Sequence, residues 1–139
     1  MATVTADYQD RKRIVFNARG RAHVNARELL PDGPIGYSST ELLLIALGNC
    51  TLGALLNHDL LKDRQVNRAF ATLDAEMARN PTRVAKIDVQ IDLDVEDADL
   101  LALRDEIEAV SCTCPICNTL GSVEIVSKVN LTVREAVAV

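Results

Sequence analysis

Two periods of hydrophobic spacing divide this chain. Near the N terminus the period is two: Val4, Ala6 and Tyr8 alternate with polar neighbours, and so do Ile14, Phe16 and Ala18. After Gly20, Ala22, Val24 and Ala26 face one way while Arg21, His23 and Asn25 face the other. Such alternation predicts half-buried strands, with Gly20 at a turn. The basic run Arg11-Lys12-Arg13 falls between two of these strands and reads as a hairpin turn. Pro and Gly in "LPDGPIG" at 30–36 predict a loop.

The spacing then changes. Ser38 and Glu41 fit the S-x-x-E capping box, in which each side chain satisfies a free backbone N–H at a helix start. A helix is predicted from about residue 39 to about residue 61, apolar on all sides over its first two-thirds and therefore central. Gly48 and Gly53 leave room on it for a close neighbour. Alternation returns in Ala69, Ala71, Leu73, Ala75 and Met77, with a turn at "NPTR". It is strictest in Ile87, Val89, Ile91, Leu93 and Val95. Leu100, Leu103, Ile107 and Val110 repeat at helical spacing, with Asp97 or Asp99 as the predicted cap. Pro115 suits the first position of a short helix, which puts Cys114 at its N-cap. A final strand is predicted over 123–133. This order predicts an α+β fold with a largely antiparallel sheet and one long buried helix, in a single domain spanning 1–139.

Composition narrows the partners. A chain of 139 residues, 48% hydrophobic and 25% charged, can bury one core, and without Trp that core is aliphatic. A net charge of −5 argues against nucleic acid. The opening "MATVTADYQDRKR" has no apolar core of the kind a secretory signal carries. The most apolar stretch, Leu42 to Leu56, is broken by Asn49, Cys50 and Thr51 and falls short of the roughly 20 residues of a membrane span. A cytoplasmic protein is expected, with thiols kept reduced and structural disulfides disfavoured.

The candidate chemistry is in the cysteines. Three of the four, Cys112, Cys114 and Cys117, crowd into "SCTCPICNTL", and Cys50 lies more than sixty residues upstream. A zinc clamp needs four ligands, and the remaining candidates, Cys50, His23 and His58, are unpaired. Cys114-Pro115-Ile116-Cys117 is a C-P-x-C at a helix N-terminus, where a thiolate is favoured, but it follows a helix rather than the early strand of a thioredoxin. Cys50, within an apolar helix, is either a small packing residue or a reactive thiol. Metal binding, dithiol exchange and a packing role for Cys50 stay open on spacing alone.

"STELLLIALGNCT" at 39–51 and "CPICNTL" at 114–120 together resemble the two cysteine motifs of the OsmC/Ohr family, nearest its generic OsmC-like branch. The resemblance covers nearly the whole chain. It implies an intertwined homodimer around paired central helices, and a thiol peroxidase acting on organic hydroperoxides without a cofactor. In that reading Cys50 is the peroxidatic cysteine and Cys114 the resolving one, with an external dithiol as reductant. The family's activating Glu and Arg have their nearest counterparts in Glu41 and Arg11, with Arg13 and Arg21 as rivals for the Arg. Glu41 stands nine residues before Cys50, which places the two on opposite helix faces. The chain also departs from the pattern at Ser39 and Thr40, where a proline is common, at Cys117, where Ser is usual, and in having Cys112. The two extra cysteines are left as resolving thiols, as partners of Cys114 or as idle residues. A small-ligand or metal-binding module, or dithiol exchange through Cys114 and Cys117, is the alternative.

Overall fold

In the computed structural model, which describes residues 2–28 and 35–134, the N-terminal alternation folds as three strands. β1 (Thr5–Asp10), β2 (Arg13–Ala18) and β3 (Arg21–Ala26) form an antiparallel meander in that order. Arg11 and Lys12 form the first turn, where the Asp10 carboxylate accepts the Lys12 N–H at 2.8 Å and pairs with Arg13 at 2.9 Å. Arg19 and Gly20 form the second, both with positive φ (51° and 77°), the conformation that matches a two-residue hairpin to the strand twist. The loop predicted at 30–36 lies, up to residue 34, outside the described residues. The expected half-burial is not seen along β1, which is exposed on both faces, and Tyr8 and Val24 stand open.

The chain divides into two compact units, Met1–Leu42 and Leu43–Val139. The second holds the main core. β4 (Val66–Ala78) and β5 (Arg83–Val95) pair antiparallel over their length, and β6 (Glu124–Val133) adds to β5 in parallel. The parallel pairing follows from the connection: a 3-10 segment at Ala98–Leu103, then α2 (Arg104–Val110) and α3 (Pro115–Thr119), carries the chain back to the starting end of β5. On β5 the predicted face is buried throughout, from Ile87 to Val95. Each such side chain contributes about 1.5–3 kcal/mol. Asp97 occupies the N-cap of the 3-10 segment without making a cap bond. Its carboxylate and that of Asp99 hold the Arg64 guanidinium instead, at 3.0 and 2.9 Å.

α1 (Ser39–Leu56) opens on the predicted box: Glu41 N–H donates to Ser38 Oγ at 3.1 Å, and Ser38 N–H to Glu41 Oε1 at 2.8 Å. It ends at Leu56 rather than near residue 61. Asn57 makes the last helical backbone bond, to the Gly53 carbonyl, which its side chain also caps; the His58 N–H then turns to the Leu55 carbonyl, and His58 Nδ1 accepts the Leu60 N–H that would have continued the helix. Leu61 turns back into the core. A Cβ on Gly48 would meet Leu73 Cδ1 at 3.1 Å, so the helix lies close over β4 at this point. By length and mean hydropathy (1.5) α1 resembles a membrane span, yet Leu47, Gly48, Thr51 and Leu55 are buried within the protein. The burial is one-sided: within a single chain Ile45 remains 50% exposed on an otherwise apolar helix.

Candidate functional site

The site joins the middle of α1 to the start of α3. Cys50 and Thr51 lie about three turns into α1. Cys114 is the N-cap of α3, with Pro115 at the first helical position, as the sequence predicts. The approach to α3 is pinned locally. Ser111 Oγ donates to the Glu108 carbonyl at 2.7 Å and shares a 2.6 Å hydrogen bond with Ser127 Oγ on β6, while Thr113 Oγ1 donates to the Val110 carbonyl at 2.9 Å. Arg104 and Glu108 of α2 bind both the carbonyl and the N–H of Val129, at 3.0 and 2.9 Å, closing the outer edge of β6. The cysteine loop is thus fixed to the sheet rather than hung from it.

The two predicted cysteines come together. Cys50 and Cys114 lie close enough for each to shift the other's ionisation, and the Ile116 N–H acts on both. Thr51 Oγ1 lies 4.0 Å from Cys114 Sγ, and the Cys117 N–H donates to that sulfur at 3.5 Å. Cys114 is 1% exposed, whereas Cys50 is half-buried.

These neighbours give the two thiols opposite characters. Burial raises the Cys114 thiol, but the Cys117 N–H, the Cys50 thiol, the Thr51 hydroxyl and the Ile116 N–H outweigh it and hold Cys114 below the ordinary cysteine range. The Ile116 N–H pulls Cys50 down, but burial and the hydrogen bond and charge of Cys114 prevail and hold it above that range. Cys114 therefore ionises first, and Cys50 presents a thiol to a neighbouring thiolate. A nucleophile with a base in hydrogen-bond reach is an activated one.

The other predicted residues are elsewhere. Glu41 is exposed and holds the capping box. Arg11 sits in the β1–β2 turn, with no ion pair or side-chain hydrogen bond among the described residues. Among the described residues no three His, Cys, Asp or Glu side chains converge as a metal site.

Cys112 and Cys117 overturn the expectation that disulfides are disfavoured, and they bear on the dithiol-exchange alternative. They form a disulfide, with Cα atoms 5.7 Å apart, within the span such a bond needs. A reducing compartment disfavours disulfides, but local geometry brings these two together: α2 ends at Val110, α3 starts at Pro115, and the reversal between them returns residue 117 beside 112. Cys117 is thereby bonded to Cys112 rather than to Cys114, the partner that dithiol exchange through the C-P-x-C requires. Thr51 also went unassigned by sequence reasoning. Its signal was a hydroxyl on the face of an apolar helix that carries Leu47 and Leu55 into the core.

The sequence model of one family, OsmC-like protein, matches residues 31–129. Among curated proteins, none matches this chain. Solved structures do. An OsmC-like protein from Mycoplasma pneumoniae superposes with a TM-score of 0.77 at 17% identity, covering 95% of this chain and 97% of that one. The organic hydroperoxide resistance protein OhrB of Bacillus subtilis gives 0.62 at 16% identity, covering 94% and 98%. A Legionella pneumophila protein described as an organic hydroperoxide resistance protein OsmC and predicted redox protein gives 0.63 at 14%, covering 94% and 96%. At these identities the likeness is one of fold.

Proposed function

The chain belongs to the OsmC-like family, and on that premise we propose that it is a thiol peroxidase that reduces organic hydroperoxides through Cys50 and Cys114. The observation that carries the proposal is the meeting of α1 and α3 at the two cysteines, where Thr51, next to Cys50, contacts Cys114 Sγ and the two thiols shift each other's ionisation, from positions more than sixty residues apart. Cys50, the more open sulfur, attacks the distal peroxide oxygen as its proton passes to the Cys114 thiolate. The leaving alkoxide takes that proton from Cys114 and departs as the alcohol, and Cys50 becomes a sulfenic acid. The Cys114 sulfur then displaces water from it, giving the Cys50–Cys114 disulfide. In sum two thiols and one hydroperoxide yield a disulfide, an alcohol and water. An external dithiol restores the thiols.

Apolar surroundings of Cys50 select an alkyl peroxide over hydrogen peroxide. Arg11 and Glu41 enter the proposal as the activating pair that the family resemblance implies. Arg11 supports this as a guanidinium unpaired among the described residues, and Glu41 by having Oε2 in reserve beyond its cap bond. The working form is a cytoplasmic homodimer in which the whole chain acts as one domain and a second copy covers the apolar face of α1 around Ile45. The 50% exposure of Ile45 supports that arrangement. The direct test is cumene hydroperoxide consumption by wild type and Cys50→Ser with excess dithiol. Loss of turnover is expected, and turnover intact in the variant would sink the reading.

A further inference from the structure

The Cys112–Cys117 disulfide has no place in the peroxidase cycle, and it brackets the cysteine that does. Cys117 touches two sulfurs, one through its side chain and one through its backbone. Its own sulfur is bonded to Cys112, and its backbone N–H touches Cys114 Sγ at 3.5 Å. Exposure is graded across the three: Cys114 is 1% exposed, Cys117 8%, and Cys112 is half-buried. A reductant meets Cys112 first and meets Cys114 hardly at all. From this arrangement, and resting on the peroxidase reading, we propose that Cys112 and Cys117 are a second redox pair, which takes the oxidising equivalents from the Cys50–Cys114 disulfide and presents them to a small external dithiol at Cys112.

The transfer is two thiol–disulfide exchanges. With Cys112 and Cys117 reduced, the Cys117 thiolate attacks Cys114 Sγ, the Cys50–Cys114 bond breaks, and Cys50 leaves and takes up a proton. The Cys112 thiolate then attacks Cys117 Sγ, the Cys114–Cys117 bond breaks, and Cys114 leaves as a thiolate. Two electrons pass from the Cys112/Cys117 dithiol to the Cys50/Cys114 pair, and no other oxidant or reductant takes part. The second exchange is favoured because the low-pKa Cys114 is a good leaving thiol. The structure holds the end state of this sequence, with Cys112 and Cys117 bonded and Cys50 and Cys114 as free thiols. The external dithiol then attacks at Cys112 and resets the pair. Peroxide and reductant thus act at different sulfurs: one at Cys50 on α1, the other at Cys112 before α3.

The test is a disulfide map in time. Fully reduced protein receives one equivalent of cumene hydroperoxide, is quenched by acid and alkylation at intervals, and is analysed by peptide mass spectrometry. Cys50–Cys114 is expected first and to decay into Cys112–Cys117 without added reductant. Cys117→Ser should stop at Cys50–Cys114, and Cys112→Ser should accumulate Cys114–Cys117. A second arm needs no peroxide. Protein oxidised at both pairs with diamide receives one equivalent of dithiothreitol, which should open Cys112–Cys117, after which that bond should re-form as Cys50–Cys114 is lost. If in either arm Cys50–Cys114 persists beside a reduced Cys112 and Cys117, the relay is wrong and the second disulfide is structural. If diamide-oxidised protein shows the migration while peroxide never oxidises Cys50, the relay stands and the peroxidase reading falls.

Discussion

Thr51→Val isolates the buried hydroxyl beside Cys114. The two side chains have nearly the same shape, so the packing of α1 is kept and one donor is lost. Thr51 is 1% exposed, so water does not replace it. A hydrogen bond to a charged acceptor contributes about 1.5–3 kcal/mol. At 4.0 Å this contact is at the outer limit for sulfur, and three other donors remain on Cys114, so the low end applies. A loss of about 1.4 kcal/mol of thiolate stabilisation corresponds to about a tenfold lower rate constant for the first peroxide turnover near neutral pH. The sign with pH follows from the cause. The hydroxyl lowers the Cys114 pKa, so its removal raises that pKa, and the rising limb of the rate profile moves to higher pH with the plateau retained. Stopped-flow oxidation by limiting cumene hydroperoxide from pH 5 to 9, with a thermal melt as control, measures both. A rate within twofold of wild type and an unmoved limb, in a variant with unchanged Tm, would refute the assignment of Thr51 as a thiolate donor.

Glu41→Gln removes the charge but keeps an oxygen for the Ser38 N–H, since Gln completes a capping box as Glu does. If Glu41 holds the activating cation as proposed, the peroxide rate constant falls about tenfold, the scale of a charge-assisted contact, with little change in Tm; a change under twofold reduces Glu41 to its cap. Ile91→Ala, at a fully buried position on the central strand β5, is expected to cost about 2–5 kcal/mol in urea unfolding, and a loss below 1 kcal/mol would show that this core collapses around the gap. Ile45→Glu puts a charge on the open face of α1 and should convert the proposed dimer to monomer in sedimentation equilibrium, whereas an undisturbed dimer would place the interface elsewhere.

The parts of this fold that were legible in the sequence are those governed by one-sided burial or by short-range bonding. The alternation from Ile87 to Val95 names the buried face of β5 because a period of two leaves no other way to hide it. The capping box at Ser38 and Glu41 and the Cys114 N-cap are set within a few residues, and both are found where expected. The end of α1 was missed because helix periodicity continues through Leu60 and Leu61, while the side chains of Asn57 and His58 compete for the backbone. The role of Asp97 was missed because a good cap residue also makes a good partner for Arg64 from another segment. Of the candidate site, the two cysteines that come together were legible, but not which of them ionises. Which sulfur ionises depends on the N–H groups of Ile116 and Cys117 and on the hydroxyl of Thr51, and these meet only once α1 and α3 have packed.

The two thiols of the main pair also differ in what they require beyond the chain. Every group that lowers Cys114 lies on α1 or α3, within the unit Leu43–Val139, and the sulfur is enclosed there. Its activation is therefore a property of one folded chain. Cys50 is half-buried, on a helix whose Ile45 face stands open. An apolar face left half in water binds an alkyl group weakly, because little surface is withdrawn from solvent when the ligand arrives. The walls that would choose an alkyl hydroperoxide over a smaller oxidant are thus completed in the proposed dimer. On this reasoning the site separates its two tasks. The chain itself supplies the thiolate, through donors fixed around Cys114, and in the proposed dimer the partner copy supplies the selectivity.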